Sequence, residues 1–188
     1  LKIKNMACDL TLGRLVPCKD SVGGLKAIYF INYEDSGLEV TYDVTDTDVI
    51  DSLGTAVAAF RYDLKGASTY SEAITSSAAN GTTAFDQTLA VTFTKLTKED
   101  HKEIKLLCYG RPHVIVETNN GDLFYAGNQH GMDVTGGTIV SGASLSELVG
   151  YTLTLAGSEK VPANFCVAAG STIAAQLTAL GVSVTVGV

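Results

Sequence analysis

Short apolar or alternating runs separated by polar, glycine-containing segments recur along this chain, a pattern typical of β-structure. The run Lys26–Tyr33 is β-branched and aromatic and predicts a strand. Leu38–Thr47 alternates apolar and polar residues, as a half-exposed strand does, and Ala59–Leu64 predicts a short strand. Thr88–Thr94 and Tyr151–Leu155 also alternate, which predicts two more strands with one face toward a core.

A hairpin is predicted in the middle of the chain. The runs His113–Thr118 and Leu123–Gly127 are both of β type, and Asn119-Asn120-Gly121-Asp122 lies between them. An Asn-Gly pair between two such runs favours a tight type I′ turn, in which both central residues have positive φ.

One α-helix is predicted over residues 97–109. Thr97 with an acid at Asp100 has the form of a capping box, and Gly110 followed by Arg111-Pro112 ends the helix. We expect one face to pack on a sheet. The apolar stripe on that face consists of Ile104, Leu107 and Cys108.

About seven strands and one flanking helix predict a mainly β fold, an antiparallel β-sandwich or barrel. Residues 1–5, which precede Met6-Ala7, are expected to be an appendage, and residues 6–165 the β-sandwich domain. Residues 166–188 form a C-terminal extension in which Val182–Val188 is predicted to add an edge strand to a neighbouring copy. The segment Ala67–Thr83 is rich in Ser, Thr and Ala, and we expect a long loop that becomes ordered against a neighbour.

The charge balance restricts the partners. The chain has 20 acidic and 13 basic residues and a net charge of −7, so tight binding of nucleic acid is disfavoured. Such a surface suits DNA that slides past without sticking, although excess acid also serves solubility alone. No apolar run reaches the roughly 20 residues needed to cross a bilayer, so we expect no membrane partner.

The nucleophile and acid–base candidates are few. The four cysteines, Cys8, Cys18, Cys108 and Cys166, lack zinc-site spacing and are expected to be reduced. Pairing Cys108 with His113 would suggest a nucleophile, but Cys108 falls on the helix's apolar stripe, which favours a core cysteine. The other histidines, His101 and His130, are predicted on the polar side of the helix and in a glycine-rich loop.

Two loops superficially resemble ligand-binding motifs. Gly127-x-x-x-Gly131 and Gly136-Gly137 are not followed by Lys-Ser or Lys-Thr, so tight bends or close backbone approach explain them better than phosphate binding. The acidic residues of 43–51 are spaced unlike a helix-flanked calcium loop and favour a solvated loop. They are Asp43, Asp46, Asp48 and Asp51. The sequence therefore predicts no catalytic residue, no cofactor site, no metal site and no enzyme activity.

Three stretches of the chain resemble a known class of proteins. They are Pro17–Phe30, His101–His113, and Gly131–Thr138 continued through Gly150–Leu155. Together they resemble virion structural proteins of tailed phages and prophages of Bacteroidetes-type bacteria. The closing pattern, with Gly-Tyr-Thr-Leu-Thr-Leu from Gly150, is most similar to the end of a major tail tube protein.

The resemblance implies a β-sandwich with a flanking helix and a long hairpin or loop, assembled into stacked, commonly hexameric rings around a DNA channel. The implied partners are copies of the chain itself, other virion proteins, and DNA that passes without specific binding. The implied location is the phage tail, with the host cytoplasm during assembly. A capsid decoration or head–tail connector protein is the alternative in the same class. A carbohydrate-binding or adhesin-like β-sandwich is the alternative from another class, although the chain has no Trp for an aromatic platform.

Overall fold

The computed structural model describes residues 12–16, 18–33, 38–65, 67–166, 170 and 172–187. The predicted appendage at residues 1–5 and Cys8 lie outside these ranges. The described residues form the following elements in chain order: β1 (Leu25–Ile31), β2 (Thr41–Tyr42), β3 (Val49–Ser52), β4 (Val57–Asp63), β5 (Thr69–Ser77), β6 (Thr82–Thr94), α1 (Lys98–Tyr109), β7 (His113–Thr118), β8 (Leu123–Ala126), β9 (Asp133–Val140), β10 (Gly150–Glu159), β11 (Asn164–Cys166), α2 (Ile173–Ala179) and β12 (Val182–Val186).

The chain is mainly β, with two sheets in a sandwich and a flanking helix, as predicted. The large sheet has the strand order β12-β4-β1-β7-β8-β11-β3-β2, and the small sheet has the order β5-β6-β10-β9. The expected number of about seven strands is wrong, because the described residues hold twelve. Strands as short as β2 and β11 carry too few residues to show a periodic pattern.

The central strands of the large sheet are buried on both faces. Toward the small sheet, Ile28 and Val114 belong to a core that includes Leu89 and Leu155. Toward the other side, Tyr29 belongs to a second core. This second core also includes Ile115, Tyr125, Leu177, Leu180 and Val182. Burial on both faces explains why the sequence of β1 is a continuous apolar run instead of an alternating one.

The C-terminal residues complete the second core. The strand predicted at 182–188 is present as β12, but its partner in the structure is β4 of the same chain, which it pairs in parallel. The helix α2 before it was not predicted. Its start is marked by Thr172, whose hydroxyl accepts the N–H of Ala175 at 3.3 Å, but seven residues are too short for a clear 3.6-residue period.

The predicted helix is confirmed as α1, with one correction. The hydroxyl of Thr97 accepts the N–H of Asp100 at 3.0 Å, as a capping box requires. Ile104 is buried and Leu107 half-buried, but Cys108 is exposed, so the prediction of a core cysteine is wrong. At 100° per residue, Leu107 and Cys108 lie on opposite sides of Ile104; Leu107 packs against the core beneath the helix, whereas Cys108 is exposed to solvent.

The segment Ala67–Thr83 is largely a strand, which corrects the expectation of a loop. In the antiparallel β5–β6 hairpin, the hydroxyl groups of Ser76 and Thr83 form a hydrogen bond of 2.9 Å. Serine and threonine, which suggested a loop, here stabilise cross-strand pairs. By contrast, only Thr41–Tyr42 of the strand predicted over Leu38–Thr47 is described as a strand.

The β7–β8 hairpin is confirmed, but its turn is not type I′. The N–H of Gly121 donates to the Thr118 carbonyl at 3.1 Å, and the N–H of Thr118 donates to the Asp122 carbonyl at 3.0 Å. Gly121 has φ 90°, whereas Asn120 is not among the positive-φ residues. The loop therefore has three residues, a type I-like turn followed by a left-handed glycine.

Candidate functional site

The three histidines occupy different environments. His101 is exposed on α1, with Nδ1 3.4 Å from the Tyr151 hydroxyl. His113 is wholly buried, its ring stacked between Tyr33 and Tyr125 and its Nδ1 2.5 Å from the carbonyl of Gly127. Because Cys108 faces solvent while His113 is enclosed in this stack, the Cys108–His113 pair weighed from the sequence does not form.

A buried carboxylate, missed by the sequence analysis, lies in β7. Glu117 is 1% exposed, accepts the Tyr29 hydroxyl at 2.6 Å and lies 2.7 Å from Nζ of Lys26. Burial raises the pKa of Tyr29, and the Glu117 carboxylate raises it further. The sequence does place Glu117 directly after the apolar run Val114–Val116, which suggests a partly buried carboxylate. The run alone does not show which side chain of a neighbouring strand contacts that carboxylate. These contacts give Glu117 the role of joining β7 to β1.

A second buried carboxylate, Glu159 of β10, holds the loop between β8 and β9. One of its oxygens accepts the N–H groups of Gln129 and His130 at 2.9 and 2.8 Å. The other lies 3.2 Å from Nδ1 of His130, whose side chain is largely exposed. The predicted place of His130 in a glycine-rich loop is therefore confirmed.

The glycines of this region permit close approach of the backbone. Gly131 has φ 69°, and a Cβ there would lie 2.5 Å from the carbonyl oxygen of Arg111. A Cβ on Gly137 would lie 2.3 Å from the carbonyl oxygen of Thr152 on the adjacent strand. The interpretation as bends and close contacts is confirmed for Gly127, Gly131 and Gly137, whereas a Cβ on Gly136 would meet no atom within 4 Å.

The acidic segment forms an exposed turn that leads into β3. Asp43 Oδ1 accepts the N–H groups of Thr45 and Asp46 at 2.7 and 3.0 Å, and the bond from Asp46 is the larger cause of the lowered pKa of Asp43. Asp51 lies apart from this turn, on β3. Across the described ranges, no group of three or more His, Cys, Asp or Glu residues is placed to hold a metal ion.

An open apolar groove of about 470 Å³ runs between α1 and the large sheet. Leu106 on its rim is 54% exposed, and the Arg111 guanidinium lies 4.1 Å from the centre of the Tyr33 ring. Most of the groove's lining is apolar, with Glu103 and Arg111 as its charged members. Its principal lining residues are Phe30, Tyr33, Phe60, Tyr62, Leu106 and Arg111.

The edges of the two sheets differ in their protection. Among the described residues, β12 and β2 end the large sheet, and β5 and β9 end the small one. β2 has only two residues, β5 carries Glu72, and β9 carries Asp133 and Gly136-Gly137. The edge strand β12 has the sequence Val-Ser-Val-Thr-Val, with neither charge nor proline. Charges, proline and shortness are the usual means of preventing edge-to-edge pairing, and β12 has none of these three.

The backbone groups that β12 offers can be assigned from its pairing with β4. The N–H of Val57 donates to the carbonyl of Gly181 at 2.9 Å, so Gly181 faces β4. Since successive residues of a strand point their backbone groups to opposite sides, Ser183 and Thr185 also face β4. The N–H and C=O groups of Val182, Val184 and Val186 therefore point away from the large sheet.

Comparison with known proteins gives no match to any family model, and no match among curated proteins or solved structures. In the part of the chain that the structure describes, no helix has the length and apolar character needed to span a membrane.

Proposed function

We propose that this protein is a virion structural subunit, of the tail tube type, that assembles with copies of itself into stacked rings around a channel for DNA. The observation that carries the proposal is the unprotected outer edge of β12. β12 has four β-branched side chains in five residues, and its outward backbone groups pair with no other strand among the described residues. Such an edge is suited to accept a strand from another molecule.

The first contact in this proposal lies within a ring. The outward groups of Val182, Val184 and Val186 receive a strand of the neighbouring copy, which extends the large sheet across the interface. Val186 is 65% exposed in the single chain, so its side chain gains burial on assembly.

The second contact joins successive rings through the outer part of the β5–β6 hairpin, residues 74–85, which we name the arm. The last pair between β6 and β10 joins Phe85 to Glu159, and beyond it the arm consists, among the described residues, of its own two strands. Ile74 lies opposite Phe85 and is 69% exposed. An isolated two-stranded hairpin is marginal in water, and the exposed Ile74 side chain beside half-buried Phe85 at its base favours a partner surface.

The net charge of −7 is compatible with the channel. A surface of the same sign as the phosphate backbone weakens nonspecific binding, and DNA passes without being retained.

The test uses sedimentation and negative-stain electron microscopy of the purified protein. We expect the unaltered chain to form rings or tubes at high concentration. Val186→Pro removes an outward N–H and leaves the bonds to β4 intact, so it should reduce assembly while the monomer stays folded. Val186→Thr retains the N–H and serves as the matched control.

Three results would contradict the proposal. A strict monomer at millimolar concentration would overturn self-assembly itself. Assembly by Val186→Pro equal to that of Val186→Thr would overturn the role of the β12 edge. Binding to a preformed capsid shell without ring formation would favour the decoration protein instead.

A further inference from the structure

The chain contains two Asn-Gly pairs in exposed turns, and their surroundings differ. Asn80-Gly81 lies at the tip of the arm, and Asn120-Gly121 lies in the β7–β8 turn. We propose that Asn80 is a site of spontaneous modification, at which the side-chain amide converts to aspartate or isoaspartate, while Asn120 is protected by its contacts.

The reaction needs only the chain and water. The backbone nitrogen of Gly81 loses its proton and attacks the side-chain carbonyl carbon of Asn80, forming a C–N bond. The bond from that carbon to Nδ2 breaks, and ammonia leaves with the proton, which gives a five-membered succinimide. Water then adds to one of the two ring carbonyls and opens the ring to aspartate or isoaspartate. No atom changes its oxidation state.

The tip of the arm leaves the reacting groups accessible. Both Asn80 and Gly81 are exposed, and a Cβ built on Gly81 would have no neighbouring atom within 4 Å. The backbone N–H of Asn80 donates to the hydroxyl of Ser77 at 3.3 Å. Among the hydrogen bonds of the described residues, none engages the side chain of Asn80 or the N–H of Gly81. The attacking nitrogen is therefore free to reach the amide carbon.

The turn at Asn120 holds the same groups in place. The Asn120 side-chain oxygen accepts the N–H of Val22 at 2.9 Å, which fixes the amide group that would be attacked. The N–H of Gly121 donates to the Thr118 carbonyl at 3.1 Å, so the attacking nitrogen is engaged. The preceding Asn119 adds a further hydrogen bond to the same segment, since its Nδ2 donates to the carbonyl of Gly23 at 2.9 Å.

Modification would change the arm chemically without changing the core. Aspartate adds one negative charge at the tip, and isoaspartate also lengthens the backbone there by one carbon. The inference does not rest on the proposed function. If the arm does contact a second copy, Asn80→Asp should weaken that contact, which links the age of the protein to its ability to assemble.

The experiment follows both sites in the full chain. The native protein is incubated in mildly alkaline buffer, and peptide mapping by mass spectrometry together with an isoaspartyl methyltransferase assay measures conversion at each asparagine. We expect Asn80 to convert roughly tenfold faster than Asn120, the ratio given by about 1.4 kcal/mol, or one net hydrogen bond.

Two variants separate the structural cause from the sequence motif. Val22→Pro removes the N–H that holds Asn120 and should raise conversion there, with the rate at Asn80 unchanged. Asn80→Ser should abolish the fast phase altogether. Circular dichroism confirms that each variant is folded. Equal rates at the two sites in the native protein, or faster conversion at Asn120, would overturn the proposal.

Discussion

The hairpins β7–β8 and β5–β6 have similar topology and opposite surroundings. Both join antiparallel strands through a turn with an Asn-Gly pair, yet β7–β8 lies in the middle of the large sheet with most of its side chains buried. The β5–β6 hairpin ends in the largely exposed arm. The first hairpin therefore stabilises the fold, whereas the second leaves surface available for another molecule.

The largest expected effect is on the β7–β8 hairpin. Ile115→Ala removes a wholly buried side chain from the second core and should lower the free energy of unfolding by about 2–5 kcal/mol. The matched change in the arm, Ile74→Ala, should cost about 0.5 kcal/mol or less, since that side chain is mostly exposed. Urea unfolding measures both. Comparable losses would show that the arm belongs to the core.

The polar contact of β7 should have an intermediate effect. Tyr29→Phe removes the hydroxyl that donates to the buried Glu117 carboxylate and should cost about 1–3 kcal/mol. Tyr109→Phe, at a side chain that is 81% exposed, is the control and should be nearly neutral. If chemical denaturation gives the same midpoint for both variants, the Tyr29–Glu117 bond does not stabilise the hairpin's position in the sheet.

The smallest effect concerns the base of the arm. Asp86 accepts the hydroxyls of Ser158 at 2.5 Å and Thr75 at 2.6 Å, and both bonds lower its pKa. A lowered folded-state pKa stabilises the fold above the unfolded pKa of about 3.9, and this contribution is lost as pH falls through the folded-state pKa.

Thermal unfolding at a series of pH values tests this contribution. Below about pH 4 the native chain should lose stability more steeply than Asp86→Asn. Asp133→Asn, which changes an exposed carboxylate on β9, is the control. If the unfolding temperatures of the native chain and of Asp86→Asn fall equally with decreasing pH, the hydrogen bonds of Asp86 do not stabilise the contact between β5 and β10.

Sequence patterns within a few residues correctly predicted those elements whose formation depends on neighbouring residues in the chain. The capping residue Thr97 located α1, and the apolar runs located β1 and β7. The strand β5 was missed because its residues have a loop-like composition and become ordered by pairing with β6. Burial of Cys108 was predicted wrongly because a helical stripe does not show how wide the contact with the sheet is.

The candidate site was less predictable than the fold. A free sheet edge is a property of the whole topology, since it depends on which strands remain without a second neighbour. The sequence predicted a strand at the end of the chain but not its pairing with β4. The partner of Glu117 likewise depends on the register between β1 and β7, which a sequence pattern does not give.

The parallel pairing of β12 with β4 also affects the order of events during synthesis. The two strands are separated by more than a hundred residues, and α2, which precedes β12, helps to cover Tyr29 and Ile115. A nascent chain on the ribosome therefore presents an uncovered apolar face until residues 173–186 have emerged. A truncated chain that lacks α2 and β12 should therefore aggregate through this face.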